Sequence, residues 1–536
     1  MVEQEYNLLS EPWIMVMHPE GSIEKVSLTE VFTRADEFRR LAGELPTQDI
    51  AMLRLLLSIL HTVLSRYDSG SEEVQVTSSD DAFARWKQVW KERRFPTKTI
   101  NNYLSFYRDR FWLFDPVRPF FQVPENPIMS SATNCAADNL NQEISESGNK
   151  NTSRFFLQRT GEERTTLNYD EAARWLVCPM AYDTAVKPKG SKCRLAAFAA
   201  TAAVGRNLFE TLMLNLVMVD SRAERYLIEC PTWESPFAKL AQYCPIPVPG
   251  NLSELYTLQT RRVILQRGHD RVTGYREICG DYFEDENAFI EPMTAWRPSK
   301  EREGCFLPVP PRPERQLWRD LSALLVRNEV EDTRPGVVRW QSDLLRKRLI
   351  SENPVHLQTV SVEYDAMGYC IKNIVDDSVS FSADLLSEKG NSWVSAILQE
   401  VSVADAFAGQ LAFLAECLAK SAGNAKADDE KATAKEHAYF AFDLPFREWL
   451  ESIDPEHDEM TAKAEEWWQI AKRITRRIGL ELVESAGPQA LVGRTVIEKR
   501  GAREEEVTYS APDAYNRFLI RTASRQTLLT GGKKND

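Results

Sequence analysis

Hydrophobic positions in the last third of the chain repeat with the period of an α-helix. Apolar residues recur three and four positions apart, as at Val394, Ile397 and Val401, and this spacing places them on one helical face. We therefore predict four helices, at 391–421, 428–452, 455–486 and 511–529. Asp454 and Pro455 are predicted to begin the third helix as its N-cap and first residue. Four long helices in succession favour a helical bundle.

The preceding residues combine shorter strand-like and helical patterns. Residues 6–32 predict two strands around a Pro-Glu-Gly turn, followed by a helix. Residues 46–67 are apolar on nearly all sides, as in a helix buried over most of its surface. Residues 356–381 predict a hairpin around Asp-Ala-Met-Gly. Shorter helices are predicted at 81–94, 99–111, 169–182, 313–328 and 335–350.

These patterns predict an α+β protein with two domains. The first is a large mixed N-terminal domain, residues 1–383, and the second is a C-terminal four-helix bundle, residues 384–536. A chain of 536 residues is longer than one compact core usually requires. Its 43% hydrophobic and 27% charged residues are typical of a globular protein.

Composition also bears on location and redox state. The apolar run near 52–57 is interrupted by Arg54 and is too short to span a bilayer. The first residues are acidic where a signal peptide would be basic, so we expect a cytoplasmic protein without membrane contact. The nine cysteines are scattered and form no C-x-x-C pair, which argues against a disulfide framework or a zinc site.

The net charge of −13 argues against a protein that coats nucleic acid unaided, but it leaves room for local basic surfaces. Residues 184–209 contain no Asp or Glu, whereas Lys187 and Lys189 lie among them. A lysine-rich loop containing Gly190 can bring cations and backbone amides to phosphates. A solvated surface loop is an equally good interpretation.

A second basic cluster lies on the third predicted bundle helix. Arg473, Arg476 and Arg477 recur at helical spacing and therefore share one side of the helix, as contact with a nucleic-acid backbone requires. The alternative is a solvated face paired with Glu465 and Glu466.

The predicted hairpin tip carries apolar and aromatic side chains. Met367 and Tyr369 flank Gly368 at the turn, where such residues are unusual without a partner. Apolar wedges of this kind can insert between base pairs and unstack them. The alternative is that both side chains fold back onto the core.

Common catalytic motifs are absent from the sequence. There is no phosphate-binding P-loop, G-x-S-x-G or H-E-x-x-H motif, and the six histidines are isolated. Cys135 lies in a small polar segment and could be a nucleophile, a metal ligand or a loop residue near a partner. It has no sequence neighbour that would activate a thiol, which favours packing. We predict no catalytic residue, metal or cofactor.

Six short segments, taken together and in order, resemble one known family. They are YNLLSEPWIMV (6–16), LPTQDIAMLRLLLSILH (45–61), ATNC (132–135), GRNLFETLMLNLV (205–217), CPTWE (230–234) and EPMTAWR (291–297). Over nearly its whole length the chain resembles the CasA family, the large subunits of the type I-E CRISPR surveillance complex Cascade.

The resemblance implies a role in binding rather than in catalysis. CasA contacts the 5′ handle of the guide RNA (crRNA), recognises the protospacer-adjacent motif (PAM) on double-stranded target DNA and helps to open the duplex. It also provides a docking surface for the helicase-nuclease and assembles with CasB, CasC, CasD and CasE. This matches RNA-guided recognition in general, in which protein reads a short motif and base pairing reads the sequence.

The resemblance also assigns residues to these contacts. The loop of Ala132, Thr133, Asn134 and Cys135 corresponds to the handle-contacting loop, where Asn134 can donate and accept at a base edge. Lys187, Lys189 and Gly190 correspond to a glycine-rich motif-reading loop, although Ala185 replaces an expected glycine. Arg297 or Lys300 corresponds to a basic finger. Met367, Gly368 and Tyr369 stand where the family has a glutamine wedge.

Two other functions fit the sequence less well. One is a purely structural scaffold subunit of a ribonucleoprotein complex, which would affect assembly but not motif preference. The other is an enzyme that uses Cys135 as a nucleophile.

Overall fold

The computed structural model describes most of the chain, and the chain divides into two compact units. The first unit comprises residues 1–315, 327–351 and 356–378, and the second comprises residues 316–326, 352–355 and 379–536. The described residues are 4–125, 127–137, 140, 165–182, 198–219, 229–235, 250–281, 291–310, 312–327, 332–350, 354–364, 371–424, 426–500 and 503–530.

Helices and strands alternate through the first unit, and helices dominate the second. The strands are β1 (Glu5–Asn7), β2 (Ile14–Met17), β3 (Ile23–Val26), β4 (Arg40–Leu41), β5 (Trp112–Phe114), β6 (Thr133–Ala136), β7 (Ala199–Ala203), β8 (Arg261–Arg267), β9 (Val272–Cys279), β10 (Trp296–Pro298), β11 (Phe306–Pro308), β12 (Val355–Tyr364), β13 (Ile371–Phe381), β14 (Arg494–Arg500) and β15 (Arg503–Tyr509). The helices are α1 (Leu28–Thr33), α2 (Pro46–Arg66), α3 (Ser79–Glu92), α4 (Thr97–Phe106), α5 (Tyr169–Tyr182), α6 (Leu208–Asn215), α7 (Leu252–Thr257), α8 (Leu321–Leu325), α9 (Gly336–Arg346), α10 (Asn391–Ala422), α11 (Ala427–Glu451), α12 (Met460–Ser485), α13 (Gly487–Val492), α14 (Ala511–Arg521) and α15 (Arg525–Leu529). The predicted α+β fold class is confirmed.

Small sheets of the first unit join segments that are distant in sequence. The three-stranded sheets have the orders β3-β2-β4, β6-β9-β8 and β13-β12-β7. The pairing of β7 with β12 brings Thr201 opposite Thr359, and their hydroxyl oxygens are 2.9 Å apart. Residues far apart in sequence therefore meet on one sheet face.

Helix α2 is the central core helix of the first unit. Pro46 begins it, as predicted, and apolar side chains are buried around its circumference. It packs against α5 and α7. His61 is buried on this helix, and burial lowers its pKa to about 3, so the ring stays neutral in the core.

The second unit is organised around α10, which packs against α11, α12 and α14. Its core is rich in aromatic rings, and Trp467 is fully buried. The centroid of this indole lies 4.8 Å from Phe446 in an edge-on arrangement and 5.7 Å from Trp449. Such packing fixes α12 against α11.

The structure corrects three helix predictions. Asp454 and Pro455 do not begin the third bundle helix, which starts at Met460, because Asp454 instead accepts a hydrogen bond from the Glu456 amide in a separate turn. The predicted helix 511–529 is split into α14 and α15 by the N-cap Ser524. The predicted helix 313–328 is reduced to a 3-10 turn, Leu317–Asp320, followed by α8.

Within the described part of the chain, two helices, α2 and α10, are long and apolar enough to cross a membrane by length and composition alone. In α2, 94% of the most apolar window is buried inside the protein, and in α10 the share is 61%. Such burial is usual for core helices of a folded protein.

Asp49 in the first turn of α2 gives the first unit a predictable pH dependence. Its carboxylate accepts a hydrogen bond from the Gly43 amide at 2.7 Å, and desolvation raises its pKa to about 6. The folded protein then binds this proton more tightly than the unfolded chain. The resulting stability is greatest below about pH 4 and is lost as the pH rises through about 6.

We expect Asp49→Asn to stabilise the protein at pH 7 by about 1–2 kcal/mol, because asparagine keeps an acceptor without a charge. The thermal midpoint at pH 7 and pH 4.5 measures the effect, which should be much smaller at the lower value, because pH 4.5 lies between the ordinary pKa of 3.8 and the folded pKa of about 6. Asp81→Asn is the control of opposite sign, because hydrogen bonds from Ser78 and Thr77 lower the pKa of the Asp81 carboxyl. If Asp49→Asn shifts the midpoint equally at both pH values, the assignment is wrong.

Candidate nucleic-acid interface

The segment Ala132–Cys135 was expected to be a loop, but from Thr133 onward it forms the edge strand β6. Asn134 lies opposite Arg276, and Cys135 lies opposite Tyr275, on the neighbouring strand β9. The loop expectation is wrong because this strand is defined by a partner about 140 residues away, which local patterns do not reveal. Ala132 immediately precedes the strand, where its amide donates to the Met129 carbonyl.

Side-chain alternation along β6 separates Asn134 from Cys135. Asn134 is exposed and shares its sheet face with Arg276 and Gln266. The Gln266 Nε2 atom donates to Asn134 Oδ1 at 3.4 Å. This face therefore presents two amides and a guanidinium, which together donate and accept hydrogen bonds at bases and phosphates.

Gly274 of β9 makes this arrangement possible. A Cβ atom at this position would lie 2.7 Å from Gln266 Oε1 and 2.8 Å from the Cys135 carbonyl oxygen. The absence of a side chain lets Gln266 extend across the sheet towards Asn134.

Cys135 points to the other face of the sheet, where Tyr275 is buried. Its Sγ atom lies 3.9 Å from the Thr133 carbonyl oxygen and 3.9 Å from Glu277 Oε1. A reactive thiol needs a nearby cation that stabilises the thiolate, whereas the negative charge of a neighbouring carboxylate disfavours it. The contacts therefore favour a packing role.

Arg297 and Lys300 lie on the short hairpin formed by β10 and β11. Arg297 is paired across the hairpin with Leu307, and both Arg297 and Lys300 are exposed. Trp296, the residue before Arg297, is 3% exposed. The hairpin is thus fixed by a buried indole and presents its two cations to solvent.

A buried ion pair anchors the segment that leads into this hairpin. Both guanidinium Nη atoms of Arg54 contact the Glu291 carboxylate, at 2.9 and 3.0 Å. The Arg54 and Glu291 side chains are only 4% and 0% exposed. Glu291 also accepts a hydrogen bond from the Met293 amide at 3.0 Å, so the pair connects α2 to the chain that carries Arg297.

Two groups of predicted contact residues lie outside the described part of the chain. They are Lys187, Lys189 and Gly190, which follow α5, and Met367, Gly368 and Tyr369, which lie between β12 and β13. The two strands of the predicted hairpin are present on either side of the latter group.

The basic residues Arg473, Arg476 and Arg477 are all exposed on α12 of the second unit. The predicted alternative partners, Glu465 and Glu466, are engaged elsewhere: Glu465 accepts a hydrogen bond from Gln469, and Glu466 pairs with Lys463. Arg477 approaches Glu481 at 3.8 Å. Within the described residues, Arg473 and Arg476 form no ion pair, so most of this basic surface remains open to a polyanion.

One known protein family matches most of this chain. The model of the CRISPR-associated protein Cse1 family matches residues 7–478. This chain belongs to the Cse1 family. The resemblance to CasA inferred from six short segments is thereby confirmed.

Several relatives of this Cse1 chain resemble it in sequence or structure. The CasA/Cse1 protein of Thermus thermophilus is 32% identical over 344 residues, which are 60% of this chain. This chain spans 61% of the length of that curated relative. The crystal structure of Thermobifida fusca Cse1 has a TM-score of 0.78 and 29% identity, covering 99% of this chain and 98% of its own.

A chain in a structure described as a CRISPR RNA-guided surveillance complex shares the fold. Its TM-score is 0.70 at 18% identity, and the match covers 97% of this Cse1 chain and 100% of the other. At this identity, the likeness concerns the fold alone.

The described residues of this Cse1 chain contain no group of three or more His, Cys, Asp or Glu side chains placed to hold a metal ion. Among the described cysteines, Cys178 and Cys417 are buried. Desolvation raises the pKa of the Cys417 thiol to about 11, which suits a structural residue.

The sequence did not identify Gln266 and Arg276 as neighbours of Asn134. Arg276 also contacts Glu125, through Nη1 and Oε1 at 3.1 Å. The sequence gives little indication of this proximity, because both residues lie on short strands that pair with β6, directly or through β9, across a long separation in sequence. The described structure adds them to the candidate interface.

Proposed function

We propose that this Cse1 chain is the non-catalytic large subunit of a type I-E CRISPR RNA-guided surveillance complex. In this role it recognises the PAM on double-stranded target DNA, helps to open the duplex for R-loop formation and provides the docking surface for the helicase-nuclease. The observation that supports this best is the polar sheet face of Asn134, Gln266 and Arg276, on which Asn134 and Gln266 are exposed, in a chain whose family match covers residues 7–478.

The first unit supplies the contacts to guide RNA and motif DNA in this proposal. The strand that includes Ala132, Thr133, Asn134 and Cys135 contacts the crRNA 5′ handle, with Cys135 packing beneath it. Arg297 and Lys300 approach DNA phosphates from their hairpin, because exposed cations bind the backbone without reading sequence. The resemblance adds two groups as motif and wedge contacts: Lys187, Lys189 and Gly190, and Met367, Gly368 and Tyr369.

The second unit supplies contacts to neighbouring subunits and DNA in the cytoplasm. Arg473, Arg476 and Arg477 offer a compact basic surface for a phosphate backbone, while the partners expected from the family are CasB, CasC, CasD and CasE. The residues given these roles lie on the two sides of the boundary predicted at residues 383 and 384, with Arg473, Arg476 and Arg477 after it and the others before it.

The test is binding of duplex DNA by the guide-loaded complex, reconstituted with and without this chain. The duplexes share one protospacer and carry a randomised flank. We expect a flank preference only when the chain is present. Equal flank selection with and without it would reject motif reading, and a defect restricted to assembly would favour the scaffold function.

Substitution of the hairpin cations provides a residue-level prediction. The double change Arg297→Ala and Lys300→Ala should weaken duplex binding and reduce the salt slope by roughly one to two, because up to two phosphate contacts are lost. Measurement of affinity against salt concentration checks this result. The matched control is Arg346→Ala, which removes an exposed arginine already paired with Asp343 at 2.7 Å. An equal change in both variants would contradict the hairpin contact.

A further inference from the structure

The end of α4 exposes an aromatic side chain that the interface described above does not use. Phe106, the last residue of this helix, is 81% exposed. Its ring stands edge-on to the neighbouring Tyr107, with centroids 4.9 Å apart. Tyr107 in turn lies 5.1 Å from Tyr103. An exposed single apolar residue is common, but this one is joined through the half-buried Tyr107 to the buried Tyr103.

Buried hydrogen bonds hold the inner end of this row. The Tyr103 hydroxyl donates to Glu234 Oε1 at 2.6 Å and accepts from Trp233 Nε1 at 2.9 Å. Arg66 fixes the same carboxylate through two contacts, at 3.0 and 2.9 Å. Desolvation and the charge of Glu234 raise the pKa of Tyr103 well above its usual value, so the phenol remains a neutral donor. The Tyr103 ring at the inner end of the row is therefore held in place before any ligand binds.

Cations outnumber acids in the segment that carries Phe106. Residues 93–118 contain six Lys or Arg and two Asp or Glu, although the whole chain has a net charge of −13. The Arg108 guanidinium lies 6.0 Å from the Trp112 ring centroid, and Arg110 donates to the Trp233 carbonyl. Lys98, Arg108 and Arg110 form no ion pair within the described residues, and Asp109 is the exposed acid among them.

A comparable exposed ring elsewhere lacks these surroundings. Phe440 of α11 is 80% exposed, nearly the same as Phe106. Residues 427–451, which form α11, contain three Lys or Arg and seven Asp or Glu. The charge around Phe106, rather than its exposure alone, therefore distinguishes the α4 surface and favours an anionic partner.

We propose that the surface formed by Phe106, Tyr107, Arg108 and Trp112 binds a single-stranded segment of nucleic acid by base stacking. Aromatic faces stack on bases of any sequence, and adjacent cations hold the phosphate backbone. The arginine beside Trp112 adds a planar cation that also stacks on bases. This surface is separate from the residues assigned to the RNA handle and duplex motif, so the inference extends the proposed function.

The test uses the purified full-length chain and a fluorescent oligothymidylate or oligouridylate of about 20 nucleotides, longer than one typical binding module covers. We expect Phe106→Ala to weaken binding about fivefold or more, because loss of one stacking platform has at least this effect. Phe106→Trp should retain affinity, and Arg108→Ala should reduce the salt slope by about one. Phe440→Ala, the matched exposed ring in acidic surroundings, should bind like the unchanged protein.

Three results would overturn the proposal. The first is no binding of either oligonucleotide at low salt, and the second is equal weakening by Phe106→Ala and Phe440→Ala. The third is impaired assembly of the Phe106→Ala chain into the surveillance complex with unchanged single-strand affinity, which would make this surface a protein contact. Since homopolymers contain no duplex motif, failure here is distinguishable from failure of PAM recognition.

Discussion

Replacing Glu291 by alanine is expected to lower the unfolding free energy of the first unit by about 3–5 kcal/mol, the usual effect of removing one partner from a buried ion pair. Arg54 would keep its charge at a site where its side chain is 4% exposed. The Met293 amide would also lose its acceptor. Hydrogen exchange of α2 should accelerate more than a hundredfold, because each 1.4 kcal/mol corresponds to about a factor of ten.

The control for this prediction is Glu37→Ala. Glu37 pairs with Arg34 at 2.9 Å, but its side chain is 54% exposed, so its loss should cost less than about 1 kcal/mol. The double change Arg54→Met and Glu291→Leu should recover most of the stability, because it leaves no buried charge. Similar exchange rates in Glu291→Ala and Glu37→Ala would show that the ion pair does not stabilise α2.

The same substitution is expected to affect function through the hairpin. Glu291 begins the segment that continues to Arg297, and its backbone carbonyl accepts a hydrogen bond from the Trp296 indole at 3.4 Å. Without the side-chain pair with Arg54, the backbone that carries this carbonyl is no longer anchored to α2, and the Arg297 and Lys300 cations lose their fixed position. Under the proposed function, flank discrimination should therefore fall in Glu291→Ala even at temperatures where the unit remains folded.

Replacing Trp467 by alanine is expected to have the second large effect. It should lower the unfolding free energy of the second unit by about 3–5 kcal/mol. The indole is fully buried, contacts Phe446 and Trp449, and donates to the Glu400 carbonyl at 3.2 Å. Its removal leaves a cavity between α11 and α12. Hydrogen exchange of residues 460–485 should rise steeply, and the exposed arginines of α12 should lose their ordered spacing.

Phe440→Ala again provides the comparison, because an 80% exposed ring contributes less than about 0.5 kcal/mol in most proteins. Protection of α12 should be unchanged in that variant. If Trp467→Ala also leaves α12 protected, the aromatic core does not hold this helix, and its basic surface would need another source of order.

The periodic spacing of apolar residues was sufficient to predict the long helices α2 and α10. It was insufficient for strands, which form only by pairing with another segment. The apolar spacing in α2 and α10 is read from neighbouring residues, and both helices form where expected. The paired strands β14 and β15 were not predicted, because residues 494–497 of β14 give no apolar face to recognise: none of them is buried, and Ile497 is 63% exposed. Asp454 does accept a backbone hydrogen bond, as an N-cap residue would, but it does so in a turn that precedes α12.

In the candidate interface, too, local sequence indicates single residues but not the neighbours that the fold brings to them. Asn134 could be selected from the sequence because its segment resembles a family motif, but its neighbours could not. Gln266 and Arg276 reach it only through the register of β6, β9 and β8, and through the space left by Gly274. Antiparallel pairing between distant segments depends on the whole fold, so no short window of sequence contains it.

The path of the chain between the two units limits how the protein can be dissected genetically. A fragment beginning at Val379 would lack residues 316–326, which belong to the second unit. Trp318 in that segment is fully buried, stacks on Phe446 at 4.3 Å and donates to Asp443 Oδ1 at 2.9 Å. Its loss would uncover an aromatic surface that promotes aggregation. Truncation phenotypes would then report misfolding, whereas point substitutions in the full-length protein can separate the roles of the units.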